Sequence, residues 1–319
     1  MRYLITGGAG FIGSHLSDFL IKRGDFVTIF DNFSTGNLKN IEHQMGRKQF
    51  TVIDGSILDL KALNAAVASV DHVLHLAAAV GVFTIVNNPL ESLTTNLKGT
   101  ENVLELSHLH GKEVLIASTS EIYGKNDASS LSEDSDRIIG SPLKSRWSYS
   151  EAKAIDESMA FFYFAEKELK TRIVRFFNTI GPRQIGNYGM VVPRFIEAAL
   201  KGEFLDVYGS GEQLRCFCNI QDAIEALISV IDSNNTIGDV YNIGNDSEIS
   251  IKNLAALVVN KLESKSELRF VPYEQAYKNG FEDMQKRVPN ISKIKQVTGW
   301  EPKYSLDQTI LDIASHMKR

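Results

Sequence analysis

The glycine run at residues 7–13 constrains the fold of this chain more than any other feature. Gly7-Gly8-Ala9-Gly10-Phe11-Ile12-Gly13 follows the apolar run Tyr3–Thr6 and opens the helical pattern Ile12–Arg23. A strand must turn sharply into a helix there, and glycine supplies the turn. Missing side chains also let backbone approach a pyrophosphate, while the helix N-terminus offers unpaired N–H groups and the positive end of its dipole. Asp31 ends the next apolar run, Phe26–Phe30. A carboxylate there can accept hydrogen bonds from adenosine ribose hydroxyls and repel a 2′-phosphate. The pattern predicts a dinucleotide site that takes NAD rather than NADP.

The first half of the chain alternates short apolar runs with helical patterns, which predicts βαβ units and a parallel sheet. Strands are expected at Tyr3–Thr6, Phe26–Phe30, Phe50–Asp54, His72–Leu76, Glu113–Ser118 and Thr171–Phe176. Apolar residues at i, i+3, i+4 spacing place helices at Ile12–Arg23, Asp59–Ala68, Leu90–Leu109, Tyr149–Glu168 and Val191–Lys201. Ser148 is expected to cap the helix that holds Tyr149. The polar stretch Lys125–Arg146 and the Gly/Asn/Arg-rich stretch Asn178–Gly189 read as working loops. A chain of 319 residues suggests about two domains. The expected architecture is α/β: a doubly wound parallel Rossmann sheet with a smaller C-terminal substrate-binding α/β domain. The nucleotide-binding domain is placed at residues 1–177 and 217–243, with the helix Asn219–Ser233 returning to it. The second domain takes 178–216 and 244–319.

Charge narrows the partners. Lys and Arg total 34 against 39 Asp and Glu, a net charge of −5. That balance gives no footprint for a nucleic-acid backbone, so an anionic ligand must be held by a few placed cations and N–H groups. Cys216 and Cys218 are read as two small residues on one face of one strand, too close along it to pair with each other and too few for a zinc site. The longest apolar stretch, Val73–Val86, is too short to cross a bilayer. Met1 leads into Gly7 with no room for a signal peptide, so a soluble cytoplasmic protein without membrane contact is expected.

The spacing Gly-x-x-Gly-x-x-Gly, with Tyr149-Ser-Glu-Ala-Lys153 downstream, resembles the extended short-chain dehydrogenase/reductase superfamily. The resemblance runs nearly the length of the chain. It includes Thr6–Gly13, His75-Leu-Ala-Ala, Asn96 followed by Gly99-Thr100, Arg175-Phe-Phe-Asn178, Gly181-Pro-Arg183 and Val207-Tyr208-Gly209 through Arg215. It implies NAD that stays bound through the cycle, a nucleotide-diphosphate-sugar substrate and a homodimer paired through a four-helix bundle. Cofactor contacts are expected from Gly7, Gly10, Phe11, Ile12 and Gly13, and from Asp31 and Asn32 after the second strand. Ser56, Ile57, Leu76, Ala77 and Ala78 would line the same site, with Asn96 and Lys153 closing it. Relatives often carry Gly-Asp-Ile where this chain has Gly55-Ser56-Ile57, so its adenine contact is weaker or made differently.

Tyr149 and Lys153 are one helical turn apart and share a face. Free tyrosine has a pKa near 10, and an adjacent ammonium and a cationic nicotinamide would lower it enough for a general base. Thr119 matches the family residue that hydrogen-bonds the reacting oxygen. Reaction type turns on Ser120 and Glu121. The resemblance implies small or hydroxyl residues at both positions in simple 4-epimerases, Asp-Glu in 4,6-dehydratases and Ser-Glu in UDP-glucuronate decarboxylases. Once C4 is a ketone, the C5 proton is acidic and a C5 carboxylate is labile. A dehydratase also needs an acid for the departing C6 hydroxyl, and Ser120 is a poor one. CO2 leaves a β-keto acid unaided. The run Arg146-Trp147-Ser148-Tyr149-Ser150 is also similar to decarboxylases.

On the substrate side, Arg215 and Arg287 match family arginines that hold a diphosphate, a task suited to guanidinium. Arg183 is a further candidate. Asn178 matches the family asparagine at phosphate and sugar, while Val192 and Tyr208 match nucleoside-facing positions. The expected activity is UDP-glucuronate decarboxylation, with 4-epimerisation of a UDP-hexose as the close rival and a dehydratase third. A regulator that binds cofactor without turnover would lack the Tyr149/Lys153 pair.

Overall fold

In the computed structural model, which describes residues 1–79, 88–186, 190–272, 284 and 286–318, the apolar runs pair side by side as parallel strands. Strand β1 (Arg2–Thr6) lies between β2 (Phe26–Asp31) and β4 (His72–His75). Beyond β2 comes β3 (Phe50–Asp54). Beyond β4 come β5 (Glu113–Thr119), β6 (Thr171–Phe176) and finally β11 (Val240–Ile243). All neighbours in this seven-stranded sheet are parallel.

Side-chain alternation divides the strands between two cores. Tyr3, Ile5, Ile29, Leu74, Leu115 and Val174 face one side, where they meet Leu16 and Leu20 of α1 (Phe11–Arg23) and Ile224 and Leu227 of α6 (Ile220–Asp232). Leu4, Phe30, Val73, Val114, Ile116 and Ile173 face the other side. There they meet Leu63 of α2 (Leu60–Ala68), Val103 and Leu104 of α3 (Pro89–Leu109) and Ala160 of α4 (Ser148–Lys167). Burial of each such aliphatic side chain is worth on the order of 2 kcal/mol before chain entropy is charged.

A smaller layer covers the C-terminal edge. Helices α5 (Val191–Lys201), α7 (Ile251–Lys261) and α9 (Leu306–Met317) close around Phe195, Val207, Leu254 and Ile313. Three short sheets accompany them: β7 (Thr179–Ile180) with β10 (Cys218–Asn219), β8 (Leu205–Tyr208) with β13 (Leu268–Val271), and β9 (Leu214–Cys216) between β12 (Glu248–Ser250) and β14 (Lys286–Arg287). The helix α8 (Ser292–Thr298) packs back against α6 and β11. No described helix is long and apolar enough to cross a membrane. Residues 80–86 of the apolar stretch Val73–Val86 and residues 187–189 of the loop Asn178–Gly189 lie outside the described residues, as does the side chain of Arg146.

Two local expectations change. Ser148 does not cap α4. Its backbone is already helical, at φ −57° and ψ −39°, whereas a cap needs an extended residue whose side chain faces the first turn. A 3-10 turn at Ser145–Trp147 feeds straight into the helix, and Ser148 Oγ donates back to Ser145 O at 2.8 Å. Cys216 and Cys218 do not share a strand either. The chain passes from β9 to β10 at Phe217, which puts the two cysteines in different sheets. Both are free and buried, and burial pushes both thiols far above their ordinary pKa.

One buried ion pair ties the layers together beneath the cleft. Arg175 of β6 donates to Glu157 of α4 at 2.7 and 3.0 Å, to Tyr123 Oη at 2.9 Å and to Glu133 O at 2.8 Å. Removing one partner strands the other charge, a loss of about 3 kcal/mol or more. Arg175→Met should therefore lower the urea-unfolding free energy by about that much, and adding Glu157→Leu should recover most of it. A single variant as stable as the parent protein would show that the pair does not hold the fold.

Candidate active site

Connections leave β1 and β4 toward opposite faces of the sheet, and a crevice opens beyond the carboxyl ends of these strands. A cleft of about 1190 Å³ runs from there into the smaller layer. At its base the glycine loop is pressed against neighbouring backbone. Gly7 has φ +69°, and a Cβ on it would stand 2.7 Å from Ala77 N and Cα. A Cβ on Gly13 would stand 2.6 Å from Gly7 O. The α1 cap is Gly10, with no side-chain hydrogen bond, so the first-turn N–H groups remain available to an anion. Asp31 accepts from Ala9 N–H at 2.9 Å and Phe33 N–H at 2.8 Å, and burial raises its carboxyl pKa. Asn32 accepts from Ser34 N–H at 3.1 Å, and Ser56 Oγ accepts from Leu58 N–H at 3.2 Å. These residues line the cleft with Phe11, Ile12, Ile57, Leu76, Ala77 and Ala78. A side-chain-free cradle, open helical N–H groups and a carboxylate at the end of β2 together fit NAD. Asn96 sits apart: it is buried and does not line the cleft. Its Oδ1 accepts from Ala79 N–H at 2.8 Å, so it braces the strand extension from behind.

The reactive end forms where β5 meets α4. Thr119 ends β5 and caps a 3-10 turn, Ser120–Tyr123, with its Oγ1 accepting from Glu121 N–H at 3.2 Å. That bond leaves the hydroxyl hydrogen free to donate into the cleft. Ser120 is buried beside it. Ser150 Oγ donates to Glu121 O at 2.9 Å and ties this turn to the start of α4. Tyr149 and Lys153 line the cleft from that helix. Enclosure first, then Glu121 and Asp156, push Tyr149 well above its ordinary range. Lys153 Nζ is 3.1 Å from Asp156 Oδ2, a countercharge further along the same helix.

Glu121 is also paired. Arg287 Nη1 donates to Glu121 Oε1 at 2.5 Å, and Nη2 donates to Asn178 Oδ1 at 2.9 Å. Asn178 Nδ2 in turn donates to Cys216 O at 2.9 Å. Arg287 thus reaches the glutamate rather than standing only where a diphosphate would lie. It is in register with Arg215 on the neighbouring parallel strand, which puts both arginines on one face of the small sheet, each under 10% exposed. Two buried guanidinium groups so placed have the chemistry to receive an anion. Val192, Tyr208 and Phe217 line the far end, with the Arg194 guanidinium 4.2 Å from the centre of the Tyr208 ring. Arg183 also lines the cleft, where Asp18 holds its Nη2 at 2.7 Å.

Sequence reasoning missed Asp156 and Arg194, and named Ser150 only within the run 146–150, with no role of its own. The i, i+3 spacing of Lys153 and Asp156 was a usable signal, since it places both on one helix face. Arg194 carries no such signal.

The chain matches the GDP-mannose 4,6 dehydratase family over residues 4–313. It is 44% identical over 308 residues to the UDP-N-acetyl-alpha-D-glucosaminuronate decarboxylase of Bacillus cytotoxicus, covering 96% of this chain and 94% of that protein. It is 38% identical over 318 residues to UDP-glucuronic acid decarboxylase 1 of Danio rerio, covering 100% of this chain and 73% of the relative. Among solved structures, the UDP-glucuronic acid 4-epimerase of Bacillus cereus, in complex with UDP-glucuronic acid and NAD, superposes with a TM-score of 0.89. That match has 28% identity and covers 100% of this chain and 99% of the other.

The cradle geometry gives a direct test. Gly7→Val would force a side chain into the Ala77 backbone at a positive φ. Cofactor affinity should fall on the order of tenfold or more, equivalent to about 1.4 kcal/mol, as read by calorimetric titration. Undiminished affinity in a folded variant would remove this loop from the site.

Proposed function

The chain belongs to the GDP-mannose 4,6 dehydratase family, within the extended short-chain dehydrogenases/reductases, and from that premise we infer that it is an NAD-dependent UDP-hexuronate decarboxylase acting on UDP-glucuronate. The observation that carries this reading is the Glu121–Arg287 pair beside Tyr149 and Thr119. Decarboxylase relatives and a uronate-binding structural neighbour support it.

Bound NAD supplies the two-electron acceptor for the hydrogen on C4. Gly7, Gly10, Gly13 and Asp31 would hold it, with Lys153 at its inner end. Tyr149 takes the proton from the C4 hydroxyl, and the free Thr119 hydrogen donates to the same oxygen. With C4 a ketone, the C5 carboxylate belongs to a β-keto acid. Its C–C bond breaks, CO2 leaves, and the electron pair stays on C5 as an enolate. Arg287 is the cation able to receive the uronate carboxylate, and Glu121 lies next to it to manage the proton that C5 then takes up. Ser120 is no acid for a departing C6 hydroxyl, which speaks against elimination. Arg215 and Asn178 would hold the diphosphate and sugar, and Val192 and Tyr208 the nucleoside.

The 44% identical relative favours a second substrate, the 2-acetamido analogue of UDP-glucuronate. It shares the C4 hydroxyl and C5 carboxylate on which all these contacts act. We also propose a homodimer through α3 and α4, which leave Leu109, Ile155, Phe161 and Phe162 exposed. The free cysteines suit the cytoplasm. We also propose the domain division at residues 177/178, 216/217 and 243/244, supported by β11 returning to pair with β6.

Purified protein incubated separately with UDP-glucuronate, its 2-acetamido analogue and UDP-glucose should release the mass of CO2 from a uronate only. A new product of unchanged mass would instead show epimerisation, and loss of water a dehydratase. Tyr149→Phe should lower kcat by about 10²–10⁴-fold with NAD still bound. Glu121→Gln should cost about 10²-fold in decarboxylation. Full activity of the Glu121 variant would take that carboxylate out of the mechanism.

A further inference from the structure

Arg287 and Glu121 meet across the cleft. Arg287 comes from β14 of the smaller layer, and Glu121 from the turn after β5. Both line the cleft, and their side chains are 10% and 19% exposed. Arg287 Nη1 donates to Glu121 Oε1 at 2.5 Å, while Nη2 is turned to Asn178 Oδ1 at 2.9 Å. The ion pair is therefore one-pronged, although a guanidinium and a carboxylate can pair through two parallel hydrogen bonds. The remaining nitrogen, Nε, is buried and has no hydrogen-bond partner among the described residues. A guanidinium with a single-pronged partner and an idle Nε has capacity for a second, better-seated carboxylate.

Both backbones are fixed, so opening the pair needs only side-chain rotation. Glu121 N–H donates to Thr119 Oγ1 at 3.2 Å, and Glu121 O accepts from Ser150 Oγ at 2.9 Å. Arg287 is held in register with Arg215 on β9. Asn178 Nδ2 donates to Cys216 O at 2.9 Å, which keeps its Oδ1 toward Arg287. Opening the pair with nothing in exchange would strip a buried guanidinium of its carboxylate, which is strongly disfavoured. An anion can open it by exchange. A neutral group cannot.

We propose that the Glu121 carboxylate is a stand-in for the substrate's own: it occupies the place on Arg287 that the C5 carboxylate of a UDP-hexuronate takes on binding, and it returns there once that carboxylate has left as CO2. The inference rests on the decarboxylase reading above. Substrate entry exchanges one anion for another on a single cation. The lost pair with Glu121 offsets part of the attraction between Arg287 and the uronate, so the ligand is held less tightly than its charge alone would dictate. In return, Glu121 leaves Arg287 only when a uronate is in place, with C5 beside it. Loss of CO2 removes the competing charge and the original pair re-forms. The pentose product is then left with no ionic contact at Arg287. A sugar with a neutral C5 substituent meets a closed pair from the start.

Calorimetric titration of the NAD-loaded Tyr149→Phe protein, in which turnover is blocked, measures the exchange. Adding Glu121→Gln should tighten UDP-glucuronate binding about tenfold, the affinity that the glutamate withholds. Binding of UDP-xylose, the same sugar without its carboxylate, should change less than about twofold. Unchanged or weaker UDP-glucuronate binding in the folded variant overturns the proposal. Equal tightening of both ligands also overturns it, because that is the through-space effect of removing a negative charge near a diphosphate. A second reading does not depend on the Gln variant folding. In the Tyr149→Phe protein labelled with 15N-arginine, with Arg287 assigned by Arg287→Lys, its Nε signal should move further with UDP-glucuronate than with UDP-xylose. Equal displacements would overturn the exchange. Release of CO2 by the unsubstituted enzyme is assayed separately, so the exchange can fail while the decarboxylase assignment stands.

Discussion

Between β1 and β4 the chain leaves the sheet toward opposite faces, and the loop at residues 7–13 presses onto Ala77 with no room for a Cβ. This contact sets the floor of the cleft. It aims the uncapped start of α1 at whatever anion enters, and it fixes the distance from that floor to the end of β5. Thr119 and Glu121 therefore sit at a set height above the cradle, and α4 brings Tyr149 in from the side through Ser150. The smaller layer adds Arg215 and Arg287 from two adjacent strands. The site is thus assembled from strand ends and helix starts, whose backbone is already held by the sheet and its two cores.

Its charges come in pairs. Lys153 is matched by Asp156, Glu121 by Arg287 and Glu157 by Arg175. Pairing makes burial tolerable, since an isolated charge at such depth would neutralise or destabilise the fold. It also means that an incoming ligand changes the field. In the proposed reading a uronate carboxylate would compete with Glu121 for Arg287. Reactivity in this cleft depends on what is bound in it.

Much of the scaffold was legible because it rests on period and composition. The alternation of Tyr3 and Ile5 against Leu4 is a strand buried on both faces, and the i, i+3, i+4 rows of α1 and α4 are helices with one apolar side. The glycine turn was legible because only glycine tolerates both its φ and its crowding. What escaped depends on tertiary placement. Ser148 has the chemistry of a cap, yet a preceding 3-10 turn takes the cap position away from it. Cys216 and Cys218 have strand spacing, yet the chain changes sheet at Phe217. Asn96 sits in a motif and points behind the cleft. Arg287 lies in a two-residue strand too short to show any period, so its pairing with Glu121 could not be read from the chain. Asp156 looks like half of a surface i, i+3 pair until α3 and α4 bury it.

A crystal structure with NAD and UDP-glucuronate bound would probe this account most directly. It predicts the C4 hydroxyl within hydrogen-bond distance of both Tyr149 Oη and Thr119 Oγ1, with the C5 carboxylate beside Arg287 and Glu121. A sugar ring seated with C4 turned away from Tyr149, or with its carboxylate at the Tyr208 end of the cleft, would contradict it.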